Sequence, residues 1–258
     1  DYYFNELGIT DKIMEKLNIK IILISATPDA VGAEFMTKRE KDWNFVKLEP
    51  GPNYKGFRYF RDKGMIKDFD EFIKSENIEE TIKQFETPKY HIIRIRGKNG
   101  DKFKTNLMDI IGKNGYIFYN HNQKNRIENF KEFITNPPTK HTFIFIKDFF
   151  RASYRIRLSN FFGLIIEPSK KMYDVTVTAQ GLIARFFGYY DDVNFDKTPP
   201  LFICSKKCVD EYIEFTTDFT YEGNDYRSRR LGKGGKVKKG ISTTYNILAE
   251  SDLEKIKS

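Results

Sequence analysis

Residues 90–95 read YHIIRI and residues 142–146 read TFIFI. Each is a short run of β-branched and aromatic residues between charged or turn-forming neighbours. Such runs are strands buried on both faces, as in a parallel sheet. Between them lie a turn, GKNGD (97–101), whose Asp101 can cap a helix to about Gly112, and a second strand, YIFYN (116–120). A helix is predicted over 126–134, and NPPTK (136–140) breaks the chain. The pattern continues beyond TFIFI. GLIIEP (163–168) is a strand, 175–187 a helix, LFIC (201–204) a strand and 206–215 a helix. Strands alternating with helices predict a parallel sheet covered on both faces.

The N-terminal part carries one further strand of this kind, IKIILISATP at 19–28. Ser25, Ala26 and Thr27 form a small-residue turn, with Thr27 as an N-cap and Pro28 as the first helical residue. In open α/β sheets the carboxyl ends of strands face the ligand. The local residues alone leave two readings, a plain helix cap or a ligand-side turn. EPGPNYKG (49–56) is the first clear break. Phe69, Phe72, Ile73, Ile78, Ile82 and Phe85 then recur at helical spacing. Arg94 and Arg96 point to one face of the first strand. Either they reach the strand end and touch phosphate, or the strand lies near a sheet edge. The edge placement is the expectation here.

The chain has 258 residues, a net charge of +8, 40% hydrophobic and 31% charged residues. That composition suits a soluble globular protein, and no apolar run approaches the ~20 residues of a membrane span. The charge favours a polyanionic partner. Residues 225–240, DYRSRRLGKGGKVKKG, concentrate basic residues among glycines, including Arg229, Arg230, Lys233 and Lys236. Such a block is expected to touch backbone phosphate. Cys204 and Cys208 are read as two free thiols of a reducing compartment rather than metal ligands, because no histidine stands at ligand spacing. No metal site is expected.

Three segments together resemble superfamily 2 helicases of the viral and phage type. Ser25-Ala26-Thr27 after an apolar strand resembles motif III. Lys147 to Ser153, KDFFRAS, resembles motif V, and TAQGLIARFFGY (178–189) resembles motif VI. The last departs from the family pattern at Ala184 and Gly188, and Gln180 stands one residue farther from Arg185. The resemblance implies a fold: the end of a first RecA-like lobe over 1–48, a connector with a helix over 49–88, a second RecA-like lobe over 89–215, and a basic extension over 216–258. It also implies a function, the C-terminal part of an ATP-dependent helicase or translocase. Arg185 would stabilise the transferring phosphoryl group and Gln180 would touch the nucleotide. Ser25, Ala26 and Thr27 would couple hydrolysis to movement. Lys147, Arg151 and Ser153 would contact nucleic acid, DNA before RNA.

ATP and Mg²⁺ are then the implied cofactors. Both require upstream residues, because the sequence contains no G-x-x-x-x-G-K-[ST]; Gly232–Val237 lacks the hydroxyl. The chain as given is expected not to hydrolyse ATP alone, and its partner would be an N-terminal RecA-like lobe. A cytoplasmic or viral setting follows from the same resemblance. The alternatives are a non-catalytic nucleic-acid-binding module derived from a helicase lobe and a plain α/β scaffold. For Arg185 itself, the alternative role is a structural ion pair with Asp191 or Asp192.

Overall fold

The computed structural model describes residues 11–17, 49–75, 78–95, 97–147, 154–168, 181–191 and 193–217. The chain divides into two compact units, Asp1–Glu40 and Lys41–Ser258. In the first, the described residues form one short helix, α1 (Asp11–Lys16). The strand and turn expected over 19–28 lie outside the described residues.

The second unit opens with β1 (Tyr54–Lys55), α2 (Phe57–Asp62), β2 (Ile66–Asp68), α3 (Phe69–Ser75) and α4 (Ile78–Lys83). It continues through β3 (Tyr90–Arg94), α5 (Gly97–Asn114), β4 (Ile117–His121), α6 (Phe130–Phe133) and β5 (Thr142–Ile146). Then come β6 (Phe162–Ile166), a 3₁₀ turn (Ile183–Phe186), β7 (Gly188–Tyr189), β8 (Leu201–Cys204) and α7 (Lys206–Thr217). Six strands form one sheet in the order β2-β8-β6-β3-β5-β4, and every neighbouring pair is parallel. A separate antiparallel pair joins β1 to β7. The five strands predicted from residue 90 onward are all present.

Both faces of the sheet are covered, as the apolar runs require. Tyr90 and Ile92 of β3, Ile144 and Ile146 of β5, and Phe162 and Ile165 of β6 pack on one face against α2, α6, the 3₁₀ turn and α7. Ile93, Phe143, Phe145, Leu164 and Ile166 point to the other face, against α3, α4 and α5. Alternation along β3 and β5 produces this division, and β6 follows it from Leu164 onward. A register shift between β3 and β6 near Tyr90 lets the two strands stay in phase beyond it.

Several elements differ from their sequence-based expectation. Residues 49–88 contribute β2 to the edge of the main sheet, so this stretch is built into the α/β unit. β3 is central, between β6 and β5, so the edge placement of Arg94 is corrected. The helix expected over 175–187 is, among the described residues, a single 3₁₀ turn at Ile183–Phe186. Arg185 is therefore not carried on a long helix there. Aspartate 68 was not singled out, yet it closes two helices. Its Oδ1 accepts the backbone N–H of Asp70 at 3.0 Å at the start of α3, and its Oδ2 accepts that of Lys206 at 2.9 Å at the start of α7.

At the amino ends of the strands the polar groups are buried and closed. Lys89, 1% exposed, donates from Nζ to the Asn160 carbonyl at 2.6 Å and pairs with Asp196 Oδ2 at 2.7 Å. Asn160 Nδ2 donates to the other Asp196 oxygen at 2.6 Å. His91 accepts the Leu164 N–H at Nδ1 (3.1 Å), so its proton sits on Nε2 and is donated to His141 Nδ1 at 3.0 Å. Both rings are thereby held neutral. Burial pushes the His91 pKa well down, helped by His141 and Lys89, and burial with Lys89 lowers His141 to about 4.

Two outcomes are expected. Gly163 leaves room for the His91 ring: a Cβ there would lie 2.7 Å from His91 Cε1 and 2.9 Å from Nδ1. Gly163→Ala should cost about 1–3 kcal/mol by overpacking, read as a lower urea midpoint. The second outcome concerns pH. A histidine whose folded pKa is depressed contributes stability above the unfolded value of about 6.5 and loses it on acidification. For His141 that loss should run between about 6.5 and its folded value of about 4. Unfolding midpoints measured across this window should fall, and His141→Asn should flatten the profile.

Candidate functional site at the carboxyl end of the sheet

Strand order locates the side of the sheet where a ligand would meet it. From β3 the chain goes through α5 toward β4 and β5, while from β6 it goes to β8 on the opposite side. The neighbouring strands β3 and β6 thus send their chains apart, the arrangement beside which open α/β sheets bind ligands. Arg94 is the last residue of β3, and Glu167 follows the last residue of β6. Alternation places both on the same face, above the 3₁₀ turn that carries Arg185.

These three residues form a buried charged cluster. Arg94 Nε lies 2.8 Å from Glu167 Oε2, with side chains 8% and 2% exposed. The same Glu167 oxygen accepts the backbone N–H of Leu182 at 2.8 Å. Arg185 is 5% exposed, and its Nε donates to the Gly181 carbonyl at 3.0 Å. Burial lowers the Arg185 pKa first and the Arg94 charge adds to it, while Glu167 pulls it back up. A guanidinium titrates far above neutrality and stays charged in such a place. Among the described residues, the cluster therefore gathers two cations around one carboxylate. Glu167 is a carboxylate whose charge favours the protonated Arg185; Asp192, one of the two aspartates weighed as its ion-pair partner, lies outside the described residues.

Arg185 also holds the neighbouring chain. Its carbonyl accepts the Ile156 N–H at 2.7 Å. Ile156 and Leu158 are buried, whereas Arg155 and Arg157 between and beside them are exposed. Lys147 stands one residue past the end of β5, exposed, with its backbone N–H bonded to the His121 carbonyl at 3.2 Å. Its position at a strand's carboxyl end agrees with the expectation. Gln180, Ser25, Ala26, Thr27, Arg151, Ser153, Arg229, Arg230, Lys233 and Lys236 lie outside the described residues.

Cys204 and Cys208 are free and buried. Burial, then the neighbouring Cys208, Glu167 and Asp68, push the Cys204 thiol well above its ordinary pKa. Among the described residues, no group of three or more His, Cys, Asp or Glu stands together as a metal site would. No helix of the described residues is long and apolar enough to cross a membrane.

Sequence reasoning missed Glu167, Arg155 and Arg157. Signals for all three existed. Glu167 is the acid that ends the apolar run GLII, and Arg155 and Arg157 alternate with Ile156 and Leu158 at the period of an extended chain. By its fold the chain is an α/β protein, a six-stranded parallel sheet flanked by helices. No protein-family model, curated protein or solved structure matches it.

The three charged residues should not be equivalent in stability. Glu167→Gln removes the carboxylate paired with Arg94 and is expected to cost about 3–5 kcal/mol, the range for breaking a buried pair. Arg185→Met keeps the Arg94–Glu167 contact and loses a hydrogen bond, for about 0.5–1.5 kcal/mol. Urea unfolding of both variants checks the ranking.

Proposed function

We propose that this chain is the C-terminal part of an ATP-dependent nucleic-acid helicase or translocase of superfamily 2 type, with the α/β unit as its second RecA-like lobe. The observation that carries the reading is the position of Arg185. It stands with Arg94 and Glu167 at the carboxyl end of a parallel sheet, where the strand order reverses. Nucleic acid, DNA before RNA, is the proposed partner, met by Lys147 at the end of β5 and by the net positive charge. Its binding partner in the same protein would be an N-terminal RecA-like lobe.

The described residues do not fit a triphosphate by themselves. The sequence has no P-loop, and the Arg185 guanidinium is enclosed, with Nε committed to Gly181. ATP and Mg²⁺ therefore belong to the proposal only through residues that this chain does not carry. In this lobe Arg185 acts as a positioning residue: its side chain anchors the 181–185 turn and its carbonyl anchors Ile156.

That enclosure favours a second reading, a nucleic-acid-binding module without hydrolysis. The complete protein and its Arg185→Ala variant separate the two. A large fall in nucleic-acid-stimulated ATPase rate per folded molecule in the variant supports the helicase. Strand binding by the unaltered complete protein with no nucleic-acid-stimulated ATPase supports the module.

Both readings require nucleic-acid binding. Anisotropy of a labelled single strand should show affinity falling steeply as salt rises. Lys147→Ala should reduce the salt slope by about 0.7, the share of one phosphate contact on a single strand. Absence of binding at low salt would count against both readings and leave the scaffold.

A further inference from the structure

Beside the buried cluster lies an open groove of about 550 Å³, within the usual range of ligand sites (about 300–1,000 Å³). Its lining includes Asn53, Arg155, Arg157, Tyr189, Tyr190 and Asp191. We propose that this groove holds single-stranded nucleic acid, with successive phosphates on Arg155 and Arg157 and a base stacked on Tyr189. The inference rests on the nucleic-acid reading above and goes beyond it by assigning the strand to particular residues.

Charge and anchoring support it first. Arg155 and Arg157 are exposed, and neither makes an ion pair or side-chain hydrogen bond among the described residues. They stand two residues apart on one side of a segment whose other side, Ile156 and Leu158, is buried. In an extended chain that spacing is about 6.6 Å, a step that suits consecutive phosphates of an open strand. The segment is fixed by the Ile156 N–H donating to the Arg185 carbonyl at 2.7 Å. Two guanidiniums are thus presented in advance, with one carboxylate, Asp191, on the same lining.

Aromatic geometry supports it second. Tyr189 is 59% exposed, large for an aromatic ring. It is nevertheless held: its hydroxyl accepts the Gly51 N–H at 2.8 Å, and its ring leans on Tyr54 at 5.2 Å between centroids. A held ring with an open side stacks a base at little entropic cost, and stacking is indifferent to base identity. Tyr190 plays a different part. Its hydroxyl donates to the Phe186 carbonyl at 2.7 Å and serves as a wall. Asn53 adds both a donor and an acceptor.

The test is anisotropy of a labelled oligodeoxythymidine with the full chain, across salt concentrations. The double variant Arg155→Gln, Arg157→Gln should lose at least tenfold in affinity and about 1.4 in salt slope, the share of two phosphates. Tyr189→Ala should lose about tenfold and Tyr189→Phe little, because the phenyl ring still stacks. An oligonucleotide bearing 5-iodouracil should photocross-link to Tyr189 in the unaltered chain, a readout that does not depend on how the variants fold. Wild-type binding with an unaffected double variant and a cross-link elsewhere overturns the groove while leaving the function standing. No binding by the wild type overturns both. Equal competition by a free mononucleotide overturns the strand as occupant.

Discussion

Glu167 is the carboxylate on which the carboxyl end of this sheet depends. One oxygen meets the Arg94 guanidinium and the Leu182 N–H together, each at 2.8 Å, and the group is 2% exposed. A buried carboxylate is tolerable only when cations and donors surround it. Here the cation comes from the central strand β3 and the donor from a turn some 15 residues farther along the chain. The same charge offsets part of the cost of burying Arg185. Strand, turn and 3₁₀ segment are thereby tied at one point. The turn in turn sets the Arg185 carbonyl, which seats Ile156 and the two exposed arginines that flank it.

The two ends of the sheet are built on different electrostatic terms. At the amino end, Lys89 is matched by Asp196, and two histidines share a hydrogen bond in neutral form. That network closes on itself. At the carboxyl end, the described residues place two guanidiniums around one carboxylate, with Lys147 exposed nearby in sequence order at the end of β5. A parallel sheet forces this separation. Its apolar middle is covered on both faces, so polar chemistry is displaced to the strand ends.

Arg185 is held by contacts that are distant in sequence. An arginine among Leu182, Ile183 and Phe186 needs a counter-charge, and the fold brings Glu167 near it from the end of β6. The interaction spans sequence because β6 ends where the 3₁₀ turn begins in space. Asp68 repeats the lesson at the opposite end of the strand order. It caps the helix that follows it locally, and it also caps α7, which begins 138 residues later. Parallel pairing of β2 with β8, with Asp68 beside Cys204, brings both helix starts within reach of one carboxylate.

The sequence by itself determined the class of fold. YHIIRI, TFIFI, GLII and LFIC are apolar at nearly every position, and only a sheet covered on both faces accepts that pattern. It also marked Lys147 at a strand's carboxyl end, because a strand that stops at a charged residue ends there. Strand order was not legible. Each run is equally apolar, so periodicity says that a strand is buried and not which neighbour it has; hence Arg94 was read toward an edge while β3 is central. The expected helix through Arg185 failed for a related reason. Its apolar spacing reflects packing of Leu182, Ile183 and Phe186 onto the sheet, which a single 3₁₀ turn satisfies as well as a helix. The groove of Arg155, Arg157 and Tyr189 was decided by tertiary structure alone. It exists because β7 pairs with β1 and Ile156 bonds to Arg185, contacts between segments that nothing local in the chain announces.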